Sequence, residues 1–161
     1  MAVSISLSEL AAVRYYSGSG YHEINGYLRG EKAGSADIMA QIAEIDRVVA
    51  RSPVTTAFDV FRGISGDYAD AIRAGGIFIG MEISESAFCS TSADPTIARL
   101  FSEMPPGGLL MKVRVSVGSN ALDIAPYSAY PSEQEYVLPR DTTVRVTGFS
   151  SATQMIEAEV I

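Results

Sequence analysis

The sequence predicts an α+β fold in which helices come first and strands follow. Apolar residues recur at helical spacing before Pro53, whereas short apolar runs with period two dominate after it. The strand-like runs are not separated by regularly alternating helices, so an antiparallel sheet core is favoured over a doubly wound parallel sheet. With 161 residues and 47% hydrophobic composition, the chain suits a single domain spanning residues 1–161.

The first third of the chain carries three helical patterns. Ser6 and Glu9 form a capping box at the start of a helix that we expect to end at the turn "SGSG". A short second helix in "YHEINGYLRG" is expected to close at Gly30. The third and clearest pattern is "SADIMAQIAEIDRVVARSP", in which Ser35 is the expected cap and Pro53 follows the end.

The rest of the chain shows strand patterns with two further helices. The strand patterns are "TTAFDVFRGI", "FIGMEISESAFCSTS", "GLLMKVRVSVG", "EYVLP", "TTVRVTGFSS" and "TQMIEAEVI". Helices are predicted in "SGDYADAIRAGG" and in "DPTIARLFSEM", where Asp94 is the cap and Pro95 takes the first helical position. The pieces "SGSG" and "PPGG" match neither the dinucleotide-binding fingerprint nor the P-loop.

Composition excludes several classes of function. A net charge of −7 without clustered Lys and Arg argues against a nucleic-acid surface. One cysteine and one histidine cannot supply the usual zinc ligand set, so no metal is expected. No apolar run approaches the roughly 20 residues of a membrane span, and the first residues lack signal-peptide features. We therefore expect a protein synthesised in a cytoplasm, without a membrane partner, and monomeric.

The stretch "YPSEQEYVLPR" places two carboxylates, Glu133 and Glu135, two residues apart. If both lie on a strand, they point to one face, where like charges repel and raise the pKa of one carboxyl group. One interpretation is a solvated strand edge, and the other is a functional carboxylate pair.

Two other stretches leave similar alternatives open. In "FCSTSAD", Ser90 and Ser92 share a strand face. These serines are either an ordinary polar strand end or hydrogen-bond donors that hold a carboxylate on a neighbouring strand. In "DVFRGI", Arg62 interrupts an apolar strand. Burying it requires an anion, which is either an internal Asp or Glu or a bound phosphate.

Together, and in chain order, these stretches resemble the Arg, Ser-Thr-Ser and Glu-x-Glu motifs of the mono-ADP-ribosyltransferases. The branch includes bacterial exoenzymes that act on Rho GTPases or actin, and phage-encoded transferases. The resemblance covers nearly the whole chain and is carried by "GYHEINGYLRG", "VFRGI", "FCSTSADPTIARLF" and "YSAYPSEQEYVLPR". It implies two roughly perpendicular antiparallel sheets that form an NAD cleft, with an N-terminal helical layer packed outside.

The resemblance also implies a role for each motif residue. Arg62 would contact the NAD phosphates, and Ser90 would hold the catalytic carboxylate of Glu135 at the nicotinamide ribose. Glu133 would be the general base for an arginine acceptor, since arginine is otherwise always protonated. The resemblance implies that further residues line the NAD pocket or support it: Asn25, Arg29, Thr91 and Ser92.

A host protein is the implied acceptor of ADP-ribose, and NAD is the co-substrate. Tyr127, Tyr130 and Pro131 match the loop that recognises the target, together with Glu133. Tyr130 is alternatively a core-anchoring aromatic residue. Arg140 is expected to contact the NAD ribose or to pair with a carboxylate. A toxin or effector acting in the host cytoplasm is expected; the functional alternatives are an NAD glycohydrolase, modification of a nucleic acid, and a non-catalytic NAD-binding module.

Overall fold

The computed structural model describes residues 3–64, 66–102 and 107–161. The helices within these residues are α1 (Leu7–Tyr15), α2 (Tyr21–Leu28), α3 (Ala36–Ala50), α4 (Gly66–Ala74) and α5 (Pro95–Ser102). The predicted capping box is present, because the Ser6 hydroxyl accepts from the Glu9 N–H while the Glu9 carboxylate accepts from the Ser6 N–H. Ser35 likewise caps α3 by accepting from the N–H of Ile38.

Helix α1 ends at Tyr15, just before "SGSG", as predicted, but the segment that follows is not an open turn. Tyr16–Gly20 form a π-helical turn that joins α1 to α2, with its kink at Gly18 (φ −88°, ψ −110°). The non-helical backbone of Gly18 separates the two helical runs, and Gly20 leaves room for the Tyr15 ring, which a Cβ atom there would meet. This turn buries Tyr16, which becomes important for the site below.

The strands form one mixed sheet within the described residues. They are β1 (Phe58–Ile64), β2 (Glu82–Glu85), β3 (Cys89–Ser92), β4 (Leu109–Val115), β5 (Leu122–Asp123), β6 (Glu135–Leu138), β7 (Thr142–Ser150) and β8 (Met155–Val160). The hydrogen-bonded order is β2-β7-β8-β4-β1-β3-β6-β5. The expected α+β class with an N-terminal helical layer is therefore confirmed.

The sheet differs in detail from two separate antiparallel sheets. Strand β4 runs parallel to β8, whereas the other named pairs between described strands are antiparallel. The hydrogen-bonded order is also continuous. The halves β2-β7-β8-β4-β1 and β3-β6-β5 are linked by a single register pair, Phe61 with Ser92. This thin junction brings the arginine strand beside the Ser-Thr-Ser strand.

Two buried clusters lie on opposite faces of the β3-β6-β5 half. Phe88, Leu122 and Val137 belong to the cluster formed with α1, α2 and α3. Cys89 and Leu138 instead join the cluster of the larger half with α4. Because side chains alternate along a strand, Ser90 and Glu135 fall on the Val137 face, under the helical layer.

No described helix is long and apolar enough to cross a membrane. The end of the predicted helix "DPTIARLFSEM" and the start of "PPGG" lie outside the described residues.

Candidate active site

Glu135 is the partly buried carboxylate at the start of β6. It pairs in register with Ser92 of β3, and Ser90 pairs with Val137 two positions further along the same strands. Burial raises the pKa of Glu135 to about 7; the hydrogen bond from Ser90 opposes this rise and the charge of Glu133 adds to it. A carboxyl group with a pKa near neutrality can change its protonation state at working pH, which is typical of a catalytic group.

A buried hydrogen-bond chain supports Ser90 from the helical layer. The Tyr16 hydroxyl lies 2.6 Å from Ser90 Oγ, and Asn25 Nδ2 donates to Tyr16 Oη at 3.1 Å. An ionised Glu135 carboxylate can only accept hydrogen bonds, so Ser90 donates to it. Tyr16 then donates to Ser90, and Asn25 donates to Tyr16. Tyr16 is 1% exposed, and burial raises the pKa of its hydroxyl, so it stays a donor. Asn25 Oδ1 is buried without a hydrogen-bond partner in the described structure.

Glu133 does not lie on the strand, so the prediction that both glutamates share a strand face is wrong. It ends a 3₁₀ turn, Pro131–Glu133, and the next residue, Gln134, is left-handed (φ 48°, ψ 47°). Strand β6 starts only at Glu135. The two carboxylates still interact, since the charge of Glu133 raises the pKa of Glu135. The turn, rather than the pleat of a strand, sets their relative position.

The other hydroxyls of the Ser-Thr-Ser strand bind backbone. Ser92 Oγ donates to the carbonyl of Glu133 at 2.6 Å and accepts from the N–H of Asp94 at 3.0 Å. Thr91 Oγ1 donates to the carbonyl of Tyr136 at 2.8 Å. Ser92 thereby ties the glutamate turn to β3.

Arg62 meets an internal anion, Glu85, at the end of β2. Its Nη2 donates to Glu85 Oε2 at 2.9 Å, and its Nη1 lies 3.1 Å from Cys89 Sγ. Arg29 binds the same carboxylate through Nε at 3.0 Å and Nη2 at 3.3 Å. Burial opposes ionisation of Glu85, but hydrogen bonds and charge from the two arginines lower its pKa to about 2. The ion-pair alternative for Arg62 is thus realised in this structure.

One face of α2 links the two groups. Tyr21, Asn25 and Arg29 are four residues apart, so they lie on the same side of the helix. At about 1.5 Å rise per residue, Tyr21 and Arg29 are roughly 12 Å apart along the axis. Burial and then the charges of Glu133 and Glu135 raise the pKa of Tyr21, which places it beside the glutamates. The site is therefore elongated, with carboxylates at one end and guanidinium groups at the other.

The predicted recognition loop divides into an anchored and an exposed part. Tyr127 packs against the helical cluster and donates its hydroxyl to the Val3 carbonyl at 3.0 Å. Tyr130 is 55% exposed and Pro131 is exposed, so both are accessible beside Glu133. Arg140 pairs with Asp46 on α3 at 2.9 Å, which realises its carboxylate alternative.

Sequence reasoning missed three participants: Tyr16, Tyr21 and Glu85. Glu85 could have been suspected, because a period-two pattern in "EISE" buries Glu85 with Ile83 and so demands a cationic partner. Nothing in "VRYYSGSG" indicates which tyrosine is buried, because the π-helical turn decides it. In the described part of the chain, no three His, Cys, Asp or Glu side chains are grouped to hold a metal ion.

Comparison with known proteins places the chain in a family. The chain is 32% identical over 133 residues to Mav, the candidate NAD(+)–arginine ADP-ribosyltransferase of Mycobacterium avium (strain 104); the match covers 81% of this chain but 15% of Mav. C3stau2 from S. aureus, solved with NAD, superposes with a TM-score of 0.80 at 21% identity, covering 98% of this chain and 88% of that one.

The Vis toxin of Vibrio splendidus, in complex with agmatine, superposes with a TM-score of 0.76 at 23% identity, covering 98% of this chain and 75% of Vis. These structural likenesses show a shared fold. Residues 1–160 match the family described as ADP-ribosyltransferase exoenzyme. The chain therefore belongs to the ADP-ribosyltransferase exoenzyme family.

Proposed function

We propose that this protein transfers ADP-ribose from NAD to an arginine side chain of an acceptor protein. The observation that carries the proposal is Glu135, a desolvated carboxylate whose pKa is raised to about 7, held by Ser90 and flanked by Glu133. Family membership supports NAD as co-substrate, and C3stau2 was solved with it. The name of Mav and the complex of Vis with agmatine, a guanidinium compound, support arginine as the acceptor.

The chemistry follows from the two carboxylates. Glu135, placed against the nicotinamide ribose, would stabilise the positive charge that develops as the C1′–nitrogen bond breaks and neutral nicotinamide leaves with the bonding electrons. A guanidinium nitrogen of the acceptor would then bond to C1′ and lose a proton to Glu133. Ser92 supports this geometry, since it fixes the backbone of Glu133.

The other end of the site would take the diphosphate of NAD. Arg62 and Arg29 supply guanidinium groups there, and forked donors match phosphate oxygens well. Asn25 would line the pocket between the two ends, where its buried Oδ1 has no hydrogen-bond partner in the described structure. Thr91 would support the pocket through its bond to the β6 backbone.

The experiment is transfer of label from NAD, first to agmatine and then to proteins of a host-cell lysate. Wild type should label both, and Glu135→Ala should label neither. Equal labelling by the two proteins would refute the assignment of Glu135. Glu133→Gln should retain slow NAD hydrolysis while losing transfer to the guanidinium acceptor. If wild type only hydrolyses NAD even with acceptor in excess, the glycohydrolase alternative replaces the proposal.

Target recognition is proposed for the exposed part of the loop, Tyr130 and Pro131, next to Glu133. The acceptor would then be a host protein that contacts this turn. Because Tyr130 is 55% exposed, Tyr130→Ala should reduce protein labelling while transfer to agmatine is unchanged. Tyr127→Phe is the matched aromatic control, since the Tyr127 ring remains packed in the helical layer. A parallel loss with both acceptors would contradict a recognition role for Tyr130.

A further inference from the structure

We propose that Glu85 is a positioning residue that holds Arg29 and Arg62 together as one preformed diphosphate-binding pair. This inference rests on the proposed function, and it assigns a role to a carboxylate for which that function proposes no contact with the reacting ribose or the acceptor. Glu85 lies at the end of β2, outside the Arg, Ser-Thr-Ser and Glu-x-Glu motifs.

The two guanidinium groups come from different layers of the fold. Arg29 follows the last turn of α2, whereas Arg62 lies within β1. Glu85 Oε2 accepts from both, at 3.3 Å from Arg29 Nη2 and 2.9 Å from Arg62 Nη2. One carboxylate oxygen therefore sets the distance between the helix end and the central strand.

Glu85 is itself held firmly, which distinguishes a positioning group from a mobile counter-ion. Its side chain is only 8% exposed, and its Oε1 accepts from the N–H of Ala87 at 3.0 Å as well as from Arg29 Nε at 3.0 Å. A carboxylate fixed by its own backbone does not swing away when a ligand arrives. The arginines are thus oriented by a rigid acceptor.

Donor capacity remains on both arginines for a ligand. Each guanidinium carries five N–H groups, and the hydrogen bonds to Glu85 and Cys89 engage two of them on Arg29 and two on Arg62. One of those on Arg62 points to Cys89 Sγ, which is a weak acceptor that phosphate oxygens can outcompete. The pair can bind a diphosphate without releasing Glu85.

The charge balance favours the same role. Two guanidinium groups and one carboxylate leave one net positive charge, and a diphosphate adds two negative charges. Without Glu85, two like charges would be forced together where Arg62 is only 14% exposed, and they would move apart or fail to be buried. Glu85 therefore allows two arginines to face one ligand group before that group is bound.

The test is Glu85→Gln in the full chain, with NAD affinity measured by calorimetry and KM and kcat measured with agmatine as acceptor. The amide keeps the shape but loses the charge that binds both arginines. We expect Kd and KM for NAD to rise about tenfold or more, while kcat at saturating NAD falls much less. Glu85→Asp, which keeps the charge on a shorter stem, should fold and give an intermediate rise in KM.

Glu9→Gln is the matched control. Glu9 is also buried, and it binds Arg51 in a forked pair at 3.0 and 2.7 Å, but that pair joins α1 to the end of α3. Glu9→Gln should lower the melting temperature without changing KM for NAD. A purely structural role would make Glu85→Gln behave in the same way.

Unchanged or tighter NAD binding in both Glu85 variants would overturn the inference, and tighter binding would mean that Glu85 competes with the diphosphate. If Glu85→Gln does not fold, the Kd and KM for NAD of Glu85→Asp test the inference instead. Failure of the proposed function looks different, because wild type itself would then neither bind NAD nor transfer ADP-ribose, and the inference would fall with it.

Discussion

Glu85, which is buried, and Glu135, which is partly buried, are two carboxylates of one elongated candidate site, and their pKa values are shifted in opposite directions. Glu85 receives two guanidinium groups and a backbone N–H, and its pKa falls to about 2 despite the cost of burial. Glu135 receives one hydroxyl and faces another carboxylate, and burial raises its pKa to about 7. Burial raises the pKa of both carboxyl groups, so the lowered pKa of Glu85 comes from its partners.

This contrast distinguishes a carboxylate that anchors other side chains from one that is suited to take part in a reaction. A carboxylate that stays ionised at every working pH is a dependable anchor for cations. A carboxylate near its titration point is poorly solvated and strongly attracted to positive charge that develops nearby. We expect the two sites to respond differently to mutation and to pH.

The largest effect is expected for Glu135→Gln. Transfer of ADP-ribose should fall by about a thousandfold, because the amide cannot offset the charge that develops on the ribose. Stability should move the other way. The pKa of Glu135 is higher in the folded state, so its ionisation weakens folding as pH rises from about 4.5 to about 7.

Label transfer and thermal unfolding at pH 5 and pH 8 check both parts. The melting temperature of Glu135→Gln minus that of wild type should be higher at pH 8 than at pH 5. A difference in melting temperature that is the same at both pH values would contradict the raised pKa.

The next largest effect is expected for Glu85→Ala, with a loss of about 3 kcal/mol in the free energy of unfolding. Arg62, 14% exposed, would lose its counter-charge. Because the folded pKa of Glu85 is depressed, its contribution is present above about pH 4.5 and disappears as pH falls toward 2. In urea unfolding across this range, the free energy of unfolding of the variant should approach that of wild type as the pH falls. A constant gap down to pH 2 would count against the ion-pair explanation.

A smaller effect is expected for Tyr16→Phe, which removes the hydroxyl between Asn25 and Ser90. Asn25 Nδ2 is left buried without its acceptor, so a loss of about 1–2 kcal/mol is expected in unfolding experiments. The transfer rate should fall several-fold, because Ser90 is no longer oriented. Tyr127→Phe removes a different hydrogen bond of the helical layer, from Tyr127 to the Val3 carbonyl, and should leave the transfer rate unchanged. Equal rate losses in both variants would show a general packing effect.

The smallest effect is expected in the pH profile of NAD hydrolysis. For wild type, kcat/KM should rise with pH to a plateau, with an apparent pKa near 7, because the proposed mechanism requires Glu135 in its ionised form. Glu133→Gln should shift this apparent pKa downward, since it removes a neighbouring negative charge. Hydrolysis is the appropriate readout, because it does not need Glu133 as base. An upward shift would show that Glu133 does not repel Glu135.

Much of the fold was predictable from local sequence. The Ser6–Glu9 capping box and the Ser35 cap depend only on residues three positions apart, and both are present. The arginine, Ser-Thr-Ser and Glu-x-Glu stretches were found in order because each is short and chemically specific. The strand position of Glu133 was wrong, because a left-handed Gln134 has no signal comparable to that of glycine.

The partners of the site residues were not predictable. Tyr16 and Ser90 are 74 positions apart, and Arg29 and Glu85 are 56 apart. Such pairs depend on how α2 packs against the sheet, which no local pattern encodes. The alternatives for Arg62 also stayed open, because only the folded chain shows that an internal carboxylate reaches it.

The amino-acid sequence alone indicated the class of fold, the family and the pair of glutamates proposed for catalysis, since these rest on side-chain chemistry and short-range periodicity. Tertiary structure alone decided which carboxylate is neutralised by arginines and which is left near its titration point. The physical reason is that a pKa is set by desolvation and by charges within a few ångströms. Those neighbours are brought together by strands and helices that are distant in the chain.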